Sequence, residues 1–411
     1  MSSGRGAALL RPSGSSPRAT FLELFFDLVF VFALTRVSKR LIDDIGAGEL
    51  LVGIVHTLML FLALWLVWSI TTWVTSRYEP ERSVIQLAVA GSMFGSLVMA
   101  VALPRAFEER ALTFVVAYLA VMIGRPLLIA TALRGHPRRQ VPFRLAAWAA
   151  VGGVPWVAGA LGPDEWRLSL WALALIVDCA AALAGWPVPR LGPAPASGWR
   201  IEGEHLAERY QQIFLISLGE TILVIGVSFS GTEYSYERAG AFTVAFLTTA
   251  LLWRIYFHRA GHLLAEALRL ARSPGRLGAS ATRTHLFIVL GVLATGVGYE
   301  LVINHPFGRL DPAWLIFILG GPALFLLARA RFEYEIFGRI SAPRLVAVGV
   351  LAVAAAPLTA GSPMLALAVV AAVLAGVAVA DALRSRGRPP EMSASPLGRG
   401  EAAGGTFPAA P

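Results

Sequence analysis

Twelve apolar runs, each long enough to cross a bilayer once, occupy most of this 411-residue chain. They lie at residues 21–38, 50–73, 83–103, 112–133, 143–161, 167–186, 207–230, 239–260, 284–303, 312–331, 343–360 and 363–383. A helix rises about 1.5 Å per residue, so roughly 20 residues span a hydrocarbon core about 30 Å thick. Membrane barrel strands would show segments of about ten residues with alternating polarity. These runs are continuous, and backbone inside lipid must satisfy its own hydrogen bonds, which leaves the helix. The expected fold is all-α: a polytopic integral membrane protein with about 12 transmembrane helices. Composition agrees, with 56% hydrophobic and 15% charged residues against about 25% charged in a soluble domain. A globular cytosolic enzyme is therefore excluded. The single cysteine, Cys179, excludes an internal disulfide and a cysteine-based zinc site.

The polar segments divide the chain. Residues 1–19 and 384–411 read as disordered tails, and the Pro- and Gly-rich stretch 187–206 as a linker between halves 20–186 and 207–383. The first apolar run carries Glu23 and Asp27, which argues against a cleaved signal peptide. With the N-terminus placed inside, the inside segments hold 25 Lys and Arg and the outside loops hold 8. The positive-inside rule then places both termini in the cytoplasm. The net charge of +9 is thus topological and does not point to nucleic acid. The loop 261–283, with Arg259 just before it and Arg269, Arg272, Arg276 and Arg283 within it, contributes most. It reads as a topology signal, or as a site for anionic lipid headgroups.

The halves share an order of features. Asp27 and Glu220 are 193 residues apart, Trp65 and Trp253 are 188 apart, Pro126 and Pro322 are 196 apart, and Pro163 and Pro363 are 200 apart. Matches at similar offsets suggest two parallel six-helix repeats, an arrangement common in secondary transporters.

Ionisable groups at membrane depth cost roughly 2.5–3.5 kcal/mol to insert, so each needs a partner or a task. By helical rise, Asp27, Arg125 and Arg254 fall about 10 Å from the cytoplasmic side and Glu220 about 18 Å in. Asp27–Arg125 and Glu220–Arg254 are the expected pairs. Asp27 and Glu220 could couple transport to a proton or another cation, or the pairs could be fixed bridges that set helix register. Thr20-x-x-Glu23 is a capping-box pattern, which competes with a site role for Glu23. His205, Arg209 and Glu220 share one helical stripe, because the eleven residues from 209 to 220 come within about 20° of whole turns. That stripe is a candidate ion path, or simply a solvated helix start. Glu208 lies beside it. The Arg254, His258, His262 series reads as snorkelling toward the interface. His56 and His285 read as packed histidines, and Gly91-x-x-x-Gly95 as a close-packing motif.

No phosphate-binding loop, dinucleotide fingerprint or zinc-protease motif occurs, and no cofactor or metal site is expected. The expected function is transport of a small solute or ion. The alternatives are a membrane-embedded enzyme using His205, Glu208, His258 and His262 on lipid, and a non-transporting membrane scaffold. Membrane lipids and a small solute or cation are the expected partners, and homo-oligomerisation stays open.

Phe21-Leu22-Glu23-Leu24-Phe25-Phe26-Asp27-Leu28-Val29-Phe30-Val31-Phe32-Ala33 resembles the opening signature of the bacterial low temperature requirement protein A (LtrA) family. Gly203-Glu204-His205-Leu206-Ala207-Glu208-Arg209 with Leu218-Gly219-Glu220-Thr221-Ile222-Leu223 resembles its second signature, and Gly124-Arg125-Pro126 also looks like the family pattern. The resemblance covers most of residues 20–383. It implies a multi-pass membrane protein linked to growth in the cold and marks Glu23, Asp27, Arg125, His205, Glu208, Arg209 and Glu220 as signature positions. It implies no substrate and no reaction.

Overall fold

Thr20 starts the first helix. Its hydroxyl accepts from the Glu23 backbone N–H at 3.4 Å, and the Glu23 carboxylate accepts from the Thr20 N–H at 2.9 Å. This reciprocal box satisfies two donors that a helix start leaves open. Helix α1 then runs over Phe21–Gly46. The structure, a computed structural model, describes residues 8–12, 18–189, 192, 202–231, 233–258, 260–271, 274–386 and 395. Most of the two expected tails lies outside these residues.

The helices that follow are α2 (Leu50–Thr75), α3 (Ser83–Ala102), α4 (Ala111–Ala132), α5 (Gln140–Leu161) and α6 (Asp164–Leu183). The second half contains α7 (Gly203–Ser230), α8 (Tyr236–Phe257), α9 (Ala260–Leu270), α10 (Pro274–Asn304), α11 (Gly320–Phe337), α12 (Ala342–Leu358) and α13 (Pro363–Ser385). No strand occurs among the described residues. Ten of these helical segments are long and apolar enough to cross a bilayer. The other two expected spans are α1, which is long but carries Glu23, Asp27 and Arg36, and α12, which is apolar but has only 17 residues. The protein is an all-α polytopic membrane protein, as the apolar runs predict.

Two expectations change. The segment 261–283 is not a loop: α9 fills its first part, and α10 begins at Pro274, ten residues before the apolar run. The reason is an apolar stripe, Leu264, Ala267 and Leu268, buried on the rest of the bundle. Gly203 permits the contact, since a Cβ there would lie 2.7 Å from Leu268 Cβ. At the other end, residues 8–12 belong to an expected tail but are docked. Arg11 N–H donates to the Arg77 carbonyl at 3.1 Å, Glu79 N–H donates to the Leu9 carbonyl at 3.0 Å, and Leu9 is buried.

Short connections make sequential helices neighbours. In the first half α1 packs on α2 and α3, α2 on α6, α3 on α4, α4 on α5, and α5 on α6. In the second half α7 packs on α8 and α10, α8 on α13, α10 on α11, α11 on α12, and α12 on α13. The halves meet where α1 lies against α7 and α10. Small residues allow the tightest of these contacts. A Cβ on Gly321 would lie 2.6 Å from the Thr295 nitrogen, and one on Gly291 would lie 2.6 Å from the Phe325 nitrogen. Of the pair in α3, Gly95 sits against Val121, whereas Gly91 meets nothing within 4 Å.

Candidate functional site

Helices α1 and α7 run parallel in a single register. Glu23 meets His205, Asp27 meets Arg209, and Ser38 faces Glu220, each pair separated by 182 positions. The spacing follows from the helix repeat, because residues four and eleven apart return to nearly the same stripe. Glu23, His205, Arg209 and Glu220 are 0% exposed and Asp27 is 2% exposed, so every charge on this face is removed from solvent.

The two lower rungs form one network. Arg209 Nη1 donates to Asp27 Oδ2 and Nη2 to Asp27 Oδ1, both at 2.8 Å. This is the two-pronged geometry in which a guanidinium matches a carboxylate. Trp68 Nε1 on α2 donates to Asp27 Oδ1 at 3.2 Å, and the Arg209 Nη1 donates to Gln212 at 2.9 Å. His205 Nε2 lies 3.0 Å from Glu23 Oε1, and its Nδ1 lies 2.9 Å from the Ser76 hydroxyl just past α2. Glu23 therefore caps α1 and engages His205 at once. Glu208, half-buried, accepts from the Ala19 backbone N–H at 3.1 Å and from Gln212 at 3.3 Å. Three helices and the segment before α1 are thus pinned at one end of the bundle.

The third rung is different. Glu220 lies seventeen residues into the 28-residue α7, about 26 Å along it. Among the described residues neither of its carboxylate oxygens has a partner in good hydrogen-bond geometry, although the Ser38 hydroxyl faces it. It packs beside Gly296 on α10, where a Cβ would lie 3.4 Å from Glu220 Oε2, and the acid Glu300 lies farther along the same helix. Ile213 and Ser217, both buried, separate it from Arg209 on this face. The stripe is therefore real, but apolar packing and ion pairs fill its lower part.

Both expected pairings are corrected. Arg125 does not meet Asp27. It donates to the Thr71 hydroxyl and, at 3.4 Å, to the Val67 carbonyl, both on α2. Arg254 does not meet Glu220. It is half-buried, with Nη1 2.7 Å from His258 Nδ1. The cause is helix adjacency: α1 packs against α7, and Arg209 arrives at the depth of Asp27 first. The side chain of His262 lies outside the described residues, so the expected histidine cluster reduces to His205, Glu208 and His258. His205 belongs to the α1–α7 network while His258 turns to Arg254. His285 is packed as expected, between the Tyr256 hydroxyl at 2.9 Å and the Ala281 carbonyl at 2.8 Å.

Other buried polar groups lie away from this face, among them Asp178, whose place within an apolar run marks it as an acid at membrane depth. Tyr118 donates to Asp178 at 2.8 Å, and Trp156 donates to the same oxygen at 3.5 Å. Arg329 and Arg344, counted above among loop cations, are buried. Arg344 holds Asp381 at 2.7 Å and Glu333 at 3.0 Å, while Arg329 donates to the Tyr256 and His258 carbonyls at 3.1 and 3.0 Å. An arginine followed some 37 positions later by an acid in the next apolar helix was the available signal.

The segments that resemble the LtrA signatures, 21–33 and 203–223, are the ones that face each other here. Comparison with known families gives the same result, because the profile described as "Bacterial low temperature requirement A protein (LtrA)" matches residues 18–380. The chain belongs to the LtrA family. A relative from Rhizobium meliloti (strain 1021), named "Uncharacterized protein RA0937", is 38% identical over 323 residues, covering 77% of this chain and 78% of the relative. No solved structure matches the chain. In this LtrA chain the two signatures form one buried charge network, with Glu220 beyond it.

Proposed function

We propose that this LtrA protein is a secondary transporter coupled to a proton or another cation at Glu220. One observation carries the reading. Among the described residues, Glu220 is a fully buried carboxylate deep in the bundle with no cation beside it, and the donor that faces it is the neutral Ser38 hydroxyl. The other buried acids that line the α1–α7 interface are held by Arg209 or His205. A charge in that setting costs several kcal/mol unless something matches it. A bound proton or cation does so, and its release gives the site two states. Glu300 supplies a second acid between Glu220 and the far end of the bundle.

This reading divides the two acids that the sequence presents as equivalents. Asp27 is neutralised by a two-pronged arginine and holds helices together. Glu220 is left for exchange. The matching order of helix contacts in the two halves supports a duplicated six-helix unit, in which one copy of the acid became structural. The charge count of the loops supports an inner-membrane location with both ends cytoplasmic.

The test is flux in proteoliposomes loaded with a pH-reporting dye, under imposed Na⁺, K⁺ and pH gradients. Wild type is expected to move protons or exchange them for a cation, and Glu220→Gln to abolish this while folding normally. Undiminished flux in Glu220→Gln overturns the assignment. Absence of flux in the wild type removes cation coupling altogether.

A further inference from the structure

A cavity of about 1230 Å³ lies beside the charge network, between α2, α4, α5, α6 and α10. Pockets for small molecules run to roughly 300–1,000 Å³, so this space exceeds what a small ion or solute needs. Its polarity is graded along the bundle. At the end where α2 finishes and α10 begins, the lining includes Arg11, Arg77, Arg138, Arg276 and Arg283, with Glu202 as the acid among them. Deeper, it is formed by Leu62, Trp65, Leu66, Met122, Leu286 and Phe287. Leu62 is thirteen residues before the end of α2, about 20 Å further in.

Arg125 lies between the two zones. It is 5% exposed, lines the cavity and has no carboxylate partner among the described residues, and its Nε has no hydrogen-bond partner. One turn of α4 just before it, Ala120–Gly124, is widened to an i, i+5 pattern. Pro126 supplies the reason, since it lacks the N–H that a regular turn requires. The widened turn places Arg125 against Thr71 on α2, at the cavity wall. The other buried acid there, Asp178, is already satisfied by Tyr118 and Trp156. Among the described residues, six arginines and two acids line the space, and Arg125 is buried there without a carboxylate partner.

We propose that this cavity binds one anionic phospholipid. The phosphate sits between Arg125 and the arginines of the mouth, and the acyl chains run inward along Leu62, Leu66 and Met122. The charge excess selects an anion, and the apolar depth selects one that carries a long hydrocarbon body. The depth grading matches a lipid already in the bilayer, with its headgroup at the interface and its chains toward the midplane. This goes beyond the coupling role of Glu220 and does not depend on it, because binding is read without flux.

The experiment is mass spectrometry of the intact protein released from detergent. It is incubated in turn with phosphatidylglycerol, with phosphatidylcholine of the same chains, and with inorganic phosphate. One retained phosphatidylglycerol adduct per chain is expected, at affinity about tenfold or more above phosphatidylcholine. Arg125→Gln should lose that preference. Ser69→Trp, which fills the cavity from α2 and keeps the Arg125 charge, should lose the adduct itself, so a folding failure of one variant leaves the other as a test. Equal retention of both lipids, or an adduct unchanged in Ser69→Trp, overturns the proposal. Displacement of the lipid by millimolar inorganic phosphate would show a small-anion site and overturn the lipid assignment. Flux in Glu220→Gln is measured separately, so failure of either reading leaves the other intact.

Discussion

Arg209 clasps Asp27 with two hydrogen bonds of 2.8 Å across the α1–α7 interface. The two residues are 182 positions apart and come from the two segments that carry the LtrA resemblance. Trp68 closes the third side. A buried pair joined by a two-pronged hydrogen bond specifies which helices meet and at what register. It contributes less to net stability than its geometry suggests, because both charges lose their water.

Removing one partner of that pair should therefore cost far more than removing both. Asp27→Asn or Arg209→Gln alone is expected to destabilise by about 3–5 kcal/mol, since each leaves a buried uncompensated group. The double variant should recover a large part of that loss. Arg125→Gln should not rescue Asp27→Asn. Thermal unfolding of the four variants in detergent, analysed as a double-mutant cycle, measures the coupling. A rescue by Arg125→Gln would sink the Asp27–Arg209 assignment.

Glu220→Gln should behave in the opposite way. No cation among the described residues pairs with its carboxylate, and the Gln amide oxygen can still face the Ser38 hydroxyl, so neutralising it breaks no ion pair. Thermal stability is expected to be unchanged or higher while cation-coupled flux is lost. A marked loss of stability would point to a hidden structural partner instead.

The common register makes a geometric prediction. In a Cys179→Ser background, Ser38→Cys with Glu220→Cys should crosslink through a short bifunctional thiol reagent. Ser38→Cys with Ile222→Cys should not, because Ile222 is 49% exposed and turns away from α1. Gel mobility after reaction and proteolysis between the halves reads the result. Equal crosslinking of both pairs would contradict the parallel packing.

Close contact of α10 and α11 depends on absent side chains. Gly321→Ala brings a methyl within 2.6 Å of the Thr295 backbone nitrogen, so the helices must separate. Overpacking of this kind costs typically about 1–3 kcal/mol. Gly349→Ala in α12 meets nothing within 4 Å and serves as the control, with a neutral or slightly favourable effect expected from helix propensity. Denaturation of both variants under one detergent condition compares them directly.

Helix class, the placement of most spans and the capping role of Glu23 were legible in the residues, because each depends on local chemistry. Apolar length decides a span, and Thr20-x-x-Glu23 decides a cap. The shared stripe of His205, Arg209 and Glu220 was also legible, since helical periodicity is a property of one segment. The region 261–283 was misread because α9 is held by a narrow apolar stripe against other helices, too short to register as a run.

The partners of the buried charges depend on packing between helices far apart in the chain. Helical rise placed Asp27, Arg125 and Arg254 at similar depths, and depth alone permitted several pairings. The packing of α1 against α7 brought Arg209 to Asp27 and His205 to Glu23, turned Arg125 to Thr71 and a cavity wall, and left Glu220 facing the neutral Ser38 hydroxyl. Periodicity and hydropathy are read one helix at a time. The selection of one neighbour among twelve apolar helices comes from shape complementarity over their whole lengths, which no short stretch of residues encodes.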